Sequence, residues 1–94
     1  MSTTRTVSVI IKGRVQGVSY RVWTRAEAQA RGLRGFVRNR DDGSVEALFS
    51  GPAAAVTEME TLCRSGPPGA RVDGIDVLER DDVAPPEGFA ILRG

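Results

Sequence analysis

The sequence predicts an α+β sandwich, a mainly antiparallel sheet with two helices on one face, and three observations carry that expectation. Segments of period-2 apolar alternation and segments of helical apolar spacing follow one another as βαββαβ, with one more short strand at the end. Glycine, proline and aspartate mark the junctions between them. A hydrophobic fraction of 40% with 27% charged residues in 94 residues allows one modest core, so residues 1–94 are expected to form a single domain.

The first strand is "TVSVIIKG" (6–13), which alternates Val7, Val9 and Ile11 against Thr6, Ser8 and Lys12 and is rich in β-branched residues. A helix follows through "YRVWTRAEAQARGL" (20–33), where Val22, Ala26, Ala30 and Leu33 recur at helical spacing as a small inner face and Gly32 stops it. "GFVRN" (35–39) and "SVEALFS" (44–50) read as a hairpin joined by "RDDG", in which Gly43 can take positive φ. Pro52 opens a second helix with Val56, Met59 and Cys63 on one stripe, ended by Gly66-Pro67-Pro68-Gly69. "RVDGIDVLER" (71–80) is the fourth strand and "FAILR" (89–93) the last, after a "DDVAPPEG" loop. Phe49 and Phe89 read as core, Trp23 and Phe36 as core or as the wall of a site. Two βαβ-like halves on one sheet make the ferredoxin-like arrangement, which hosts many functions and decides none.

Composition excludes several classes of chemistry. No run approaches the roughly 18 apolar residues of a membrane span, and "MSTTRT" has no apolar leader, so a cytoplasmic protein without membrane partners is expected. Cys63 is the only cysteine and there is no histidine. An intrachain disulfide, a cysteine or histidine metal centre, and Ser-His or Cys-His nucleophiles are thereby ruled out; no metal or other cofactor is expected. Net charge is +1, but residues 1–40 carry nine Lys/Arg against one acid and residues 41–94 four against eleven. An anionic ligand on the N-terminal half accounts for this asymmetry, and so do two oppositely charged faces that pair with each other.

"GRVQGVSYR" (13–21) joins the first strand to the first helix. Gly13 and Gly17 permit positive φ, and such a turn can aim successive N–H groups into one concavity at the positive end of the helix. Arg21 can set a two-pronged donor over an anion held there. The glycine pattern alone also fits an ordinary strand–helix connection with a surface arginine. It is not a phosphate loop of the Gly-Lys-Ser/Thr kind. Asn39, just before "RDDG", can serve a site or simply stabilise the turn.

"IKGRVQGVSYR" (11–21) resembles the first signature of the acylphosphatase family, and "GFVRNRDDGSVEALFSG" (35–51) its second, with Gly35, Asn39, Gly43, Val45 and Gly51 in the family's positions. Tyr20 departs from the pattern, standing where phenylalanine is usual; it keeps the ring and adds a hydroxyl. The resemblance implies a phosphate-binding loop made by the backbone amides of Val15, Gln16, Gly17, Val18, Ser19 and Tyr20, with Arg21 on the phosphoryl group and Asn39 holding the attacking water. It implies a small-molecule acyl phosphate as partner, a monomer, and direct attack of water on phosphorus. Such a leaving carboxylate is a weak base, so the missing histidine is no obstacle, and neither motif distinguishes one acyl group from another. Ser19 reads as a helix-start residue, Cys63 as packing, and Arg14, Arg38 and Arg40 as surface charges that can draw in an anion. The rival function is an RNA-binding module with the same βαββαβ order, for which "RGFVRN" partly mimics an aromatic-bearing strand, although aromatics make only 5% of the chain. A regulatory ligand-binding domain or a silent relative of the same fold is a third class.

Overall fold

Val7, Val9 and Ile11 are all fully buried on one side of β1 (Thr4–Arg14), as their alternation requires. The computed structural model describes residues 3–93; Met1, Ser2 and Gly94, the ends of the expected 1–94 domain, lie outside them. After β1 come α1 (Tyr20–Ala30), β2 (Arg34–Asn39), β3 (Val45–Pro52), α2 (Ala53–Ser65), β4 (Arg71–Glu79) and β5 (Phe89–Ile91). They form a five-stranded sheet in the order β4-β1-β3-β2-β5. β3 is antiparallel to both β1 and β2, β4 is antiparallel to β1, and β5 runs parallel to β2. β1, β2 and β5 therefore point the same way, and their C-terminal ends emerge at one edge of the sheet. That edge carries the candidate site.

Both helices cover the face that bears Val7, Val9, Ile11, Val37 and Val45, and one core unites them. α2 buries Val56, Met59 and Cys63, the expected stripe. Phe49 and Phe89 stack in the core with ring centroids 5.6 Å apart. The opposite face carries Phe36 as its one aromatic strand residue among those described, since Phe49 and Phe89 point inward. It lacks the row of exposed rings on which an RNA-binding sheet stacks bases.

The inner face of α1 differs from expectation. Val22 is 55% exposed and Ala26 and Ala30 are exposed, while Tyr20, Thr24 and Ala28 are buried. Thr24 tolerates burial because its hydroxyl donates to the Tyr20 carbonyl at 2.8 Å, a bond made within the helix. Leu33 is the one member of the expected stripe that is buried, from beyond the helix end.

Tyr20 links the two helices. Its ring is 1% exposed and meets Trp23 edge-on at 5.3 Å, and its hydroxyl donates to the Cys63 carbonyl at 2.7 Å. In a continuing helix that carbonyl would accept from the amide of residue 67, which is proline and has no N–H. The Tyr20 hydroxyl takes the place of that donor, while the Gly66 N–H serves the neighbouring Leu62 carbonyl at 2.8 Å. Burial, with Cys63 beside it, pushes the Tyr20 phenol well above its ordinary pKa, so the group stays a donor throughout the usable pH range. Tyr20→Phe should therefore cost about 1–3 kcal/mol of stability, the penalty of a buried carbonyl left unmet. Urea unfolding monitored by circular dichroism should show a lower midpoint with an unchanged slope.

Candidate active site

The loop between β1 and α1 begins where the ladder slips. β1 and β4 lose register between Lys12 and Gly13, and Gly13 sits at φ 131° with its Cα so close to β4 that an added Cβ would lie 2.1 Å from the Arg71 carbonyl oxygen. No other residue fits there. Further on, Gly17 (φ 76°) and Ser19 (φ 61°) are left-handed while Gln16 and Val18 between and before them are not. Such alternation turns successive N–H groups to one side and makes a nest for an anion. The main-chain N–H groups of Gln16, Gly17, Val18 and Ser19 donate to no protein acceptor among the described residues. The amides of Tyr20 and Arg21 add to them as first-turn donors at the positive end of α1.

Ser19 is at the helix start but does not cap it. Its backbone is left-handed and its side chain makes no capping bond; only its carbonyl engages, accepting the Trp23 N–H at 3.0 Å. A left-handed serine costs about 1 kcal/mol or more, and here it sustains the alternation that keeps the amides pointing one way.

A cleft of about 350 Å³ opens over this loop, lined by Val15, Gly17, Ser19, Tyr20, Arg21, Val22, Asn39 and Ile91. Most of the expected site residues thus converge: Asn39 arrives from the end of β2, beside the loop that leaves the end of β1. Gln16 and Val18 do not line the cleft. Val18 packs against the core, and the Gln16 side chain turns to the β2–β3 hairpin, where its amide nitrogen, Nε2, donates to the Arg40 carbonyl at 2.8 Å and the Ser44 carbonyl at 2.9 Å. The loop is thereby clamped to the turn that follows Asn39.

Asn39 is not what holds that turn. The hairpin closes through Arg40 N–H to the Ser44 carbonyl at 2.9 Å and Gly43 N–H to the Arg40 carbonyl at 3.2 Å, while Asp42 Oδ1 accepts from the Ser44 amide at 3.0 Å. Hydrogen bonds donated by the Ser44 hydroxyl and the Ser44 amide hold the Asp42 carboxyl below its ordinary pKa. Asn39 Oδ1, in contrast, is buried and has no hydrogen-bond partner. Its residue lines the cleft, and this oxygen's bonding capacity is unspent among the described residues.

Arg21 also stands apart. Six cations of the N-terminal half are drawn into ion pairs: Arg5 with Glu60 and Glu79, Lys12 with Asp76, Arg31 with Glu27 and Glu58, Arg34 with Glu87, Arg38 with Glu46, and Arg40 with Asp42. Most of the charge asymmetry is thus spent in pairing between the two halves of the sequence. Arg21 has no side-chain hydrogen bond or ion pair among the described residues, and neither do Arg14 and Arg25. Of these, only Arg21 lines the cleft. Val22 and Ile91 as lining residues and the Gln16 clamp were not foreseen. Val22 carried a helical apolar spacing that assigned it to the core, and no local signal marks a glutamine as a tie to a distant turn.

Among the described residues no three His, Cys, Asp or Glu side chains cluster to hold a metal ion, and no helix is long and apolar enough to cross a membrane. A family model described as Acylphosphatase matches residues 7–91. A protein named acylphosphatase from Azorhizobium caulinodans is 54% identical over 85 residues, covering 90% of this chain and 89% of that one. Among solved structures, acylphosphatase from Bacillus subtilis superposes with a TM-score of 0.88 at 38% identity, covering 93% of this chain and 97% of that one. An acylphosphatase from Coxiella burnetii gives 0.90 at 28% identity, covering 96% and 94%. With the two signature segments folded around one cleft and the family model spanning both, this chain belongs to the acylphosphatase family.

Proposed function

We propose that the protein is an acylphosphate phosphohydrolase that cleaves acyl phosphates to a carboxylate and inorganic phosphate by direct attack of water. The observation that carries the mechanism is the meeting, at one cleft, of a row of N–H groups, an arginine and a buried amide oxygen that have no partner among the described residues. The amides of residues 15–20 and the Arg21 guanidinium bind the phosphoryl oxygens. Asn39 Oδ1 accepts a hydrogen bond from a water molecule and so turns an oxygen lone pair towards phosphorus. The water oxygen bonds to phosphorus, the bond from phosphorus to the acyl oxygen breaks, that oxygen leaves as carboxylate, and both water hydrogens depart with the phosphate. The N–H groups and Arg21 stabilise charge that develops on the equatorial oxygens.

The cleft supplies no carboxylate, thiol or imidazole, so the reaction is metal-independent and uses no general base. Every group comes from one chain, and the protein acts as a monomer on a small-molecule substrate. The single buried cysteine suits a reducing compartment, the cytoplasm.

The direct test is steady-state hydrolysis of acetyl phosphate or benzoyl phosphate in EDTA. Turnover should persist; activity lost on chelation and restored by magnesium would overturn the metal-free mechanism. With no side chain at the cleft that titrates near neutrality, the rate should change less than about threefold from roughly pH 5 to 7.5, and a steep bell near 6.5 would contradict it.

Arg21 and Asn39 should fail differently. Arg21→Ala should weaken both turnover and competitive inhibition by inorganic phosphate, and Arg21→Lys should restore little, because the paired N–H geometry is lost although the charge remains. Asn39→Ala should lower kcat by about 10² or more, near 3 kcal/mol of transition-state stabilisation, with phosphate inhibition close to wild type. Because the Asn39 side chain makes none of the hairpin's bonds and its oxygen is unmet, the same variant should unfold within about 0.5 kcal/mol of wild type or above it. A folded Asn39→Ala protein with wild-type turnover would remove Asn39 from the mechanism.

A further inference from the structure

We infer that Val22 and Ile91 form an acyl subsite, an apolar wall beside the phosphoryl-binding loop that makes the enzyme favour longer acyl groups over acetyl. The inference rests on the acyl phosphate reading above and adds to it a feature that neither sequence motif carries.

An exposed valine alone means nothing, since single apolar side chains on a surface are ordinary. Val22 differs by its place. It is 55% exposed, follows Arg21 in the first turn of α1, and shares a cleft with Ile91. Alternation along β5 puts Ile91 on the same side as buried Phe89, the side on which α1 lies, and parallel pairing of Ile91 with Val37 brings it to the sheet edge where Asn39 ends β2. The amides, the Arg21 guanidinium and Asn39 Oδ1 are engaged by the phosphoryl group and the water in the mechanism above, which leaves the Ser19 hydroxyl and Asn39 Nδ2 as the polar side-chain groups without a part in it. Val22 and Ile91 supply the hydrocarbon part of its wall on the α1 and β5 sides.

The cleft, about 350 Å³, has room for more than a phosphoryl group and falls at the small end of pockets that bind organic molecules, roughly 300–1,000 Å³. An in-line displacement sets the leaving oxygen opposite the attacking water, so the acyl chain extends away from the Asn39 amide and along the walls that remain. Val22 offers the largest free apolar surface there. Full burial of a methylene is worth about fourfold in an equilibrium or rate, and cover on one side only about twofold. Two added methylenes, acetyl to butyryl, should therefore raise kcat/KM about fourfold.

The experiment measures kcat/KM for acetyl, propionyl and butyryl phosphate with the wild type, Val22→Ser and Val22→Leu, together with the Ki of inorganic phosphate. The three leaving carboxylates are nearly equal in basicity, so their ratio reads contacts and not intrinsic reactivity. The butyryl-to-acetyl ratio should be about four in the wild type, fall towards one in Val22→Ser and rise in Val22→Leu. A wild-type ratio near one, or a ratio that neither substitution moves, overturns the subsite. So does a phosphate Ki that shifts as much as the ratio, because Val22 would then act on the phosphoryl site. Absence of turnover with every acyl phosphate defeats the parent reading itself, and is distinguishable from turnover that ignores chain length.

Discussion

Four successive main-chain N–H groups, those of Gln16, Gly17, Val18 and Ser19, find no acceptor among the described residues, and the neighbouring structure is arranged around keeping them that way. An amide row that bonded to its own loop would be stable and useless to an anion. Left unbonded, it supplies no internal ladder to hold its shape, so the shape must be imposed from outside. Buried Val15 and partly buried Val18 anchor the loop to the core, the Gln16 amide ties it to the β2–β3 hairpin, and Tyr20 fixes its far end to the last turn of α2. Water reaches exposed Gly17 and Ser19 and relieves part of the cost.

Charge is distributed by the same logic. A guanidinium already bonded to a carboxylate must give up that bond before it can serve a substrate, whereas one left alone in a cleft is ready. Six cations of the N-terminal half are neutralised in pairs, and Arg21 has none among the described residues. Pairs of Arg5, Lys12, Arg31 and Arg34 cross to segments distant along the chain, whereas those of Arg38 and Arg40 stay within the β2–β3 hairpin. Being mostly solvent-exposed, each adds little stability. Their larger effect is to neutralise much of the positive field of the N-terminal half, leaving Arg21 at the cleft, with Arg14 and Arg25 away from it, outside the pairs among the described residues.

How much of this was legible depended on whether the signal was local. Val7, Val9 and Ile11 alternate, and Val56, Met59 and Cys63 repeat at helical spacing, so the faces of β1 and α2 could be read directly. α1 misled because its true inner face includes Thr24, polar by type but satisfied by the Tyr20 carbonyl, while the apolar Val22, Ala26 and Ala30 face solvent. The glycines at 13 and 17 foretold positive φ; the left-handed Ser19 had no such marker. Arg21 and Asn39 were singled out by their motifs, but their meeting follows from β1 and β2 running parallel on either side of β3, a fact of topology. The partner of the Tyr20 hydroxyl could not be read at all, because it is a main-chain carbonyl 43 residues away.

The Tyr20 bond lands on a residue whose side chain has a different use. Cys63 is fully buried in the α2 stripe, and burial pushes its thiol up to about 12, so in the folded protein it is both sealed and protonated. Thiolate chemistry needs access and ionisation together, and both arrive only when α2 lifts from the sheet. As the chain's single cysteine, it is a native clock: the rate at which a maleimide consumes it records how often the core opens, with no probe introduced.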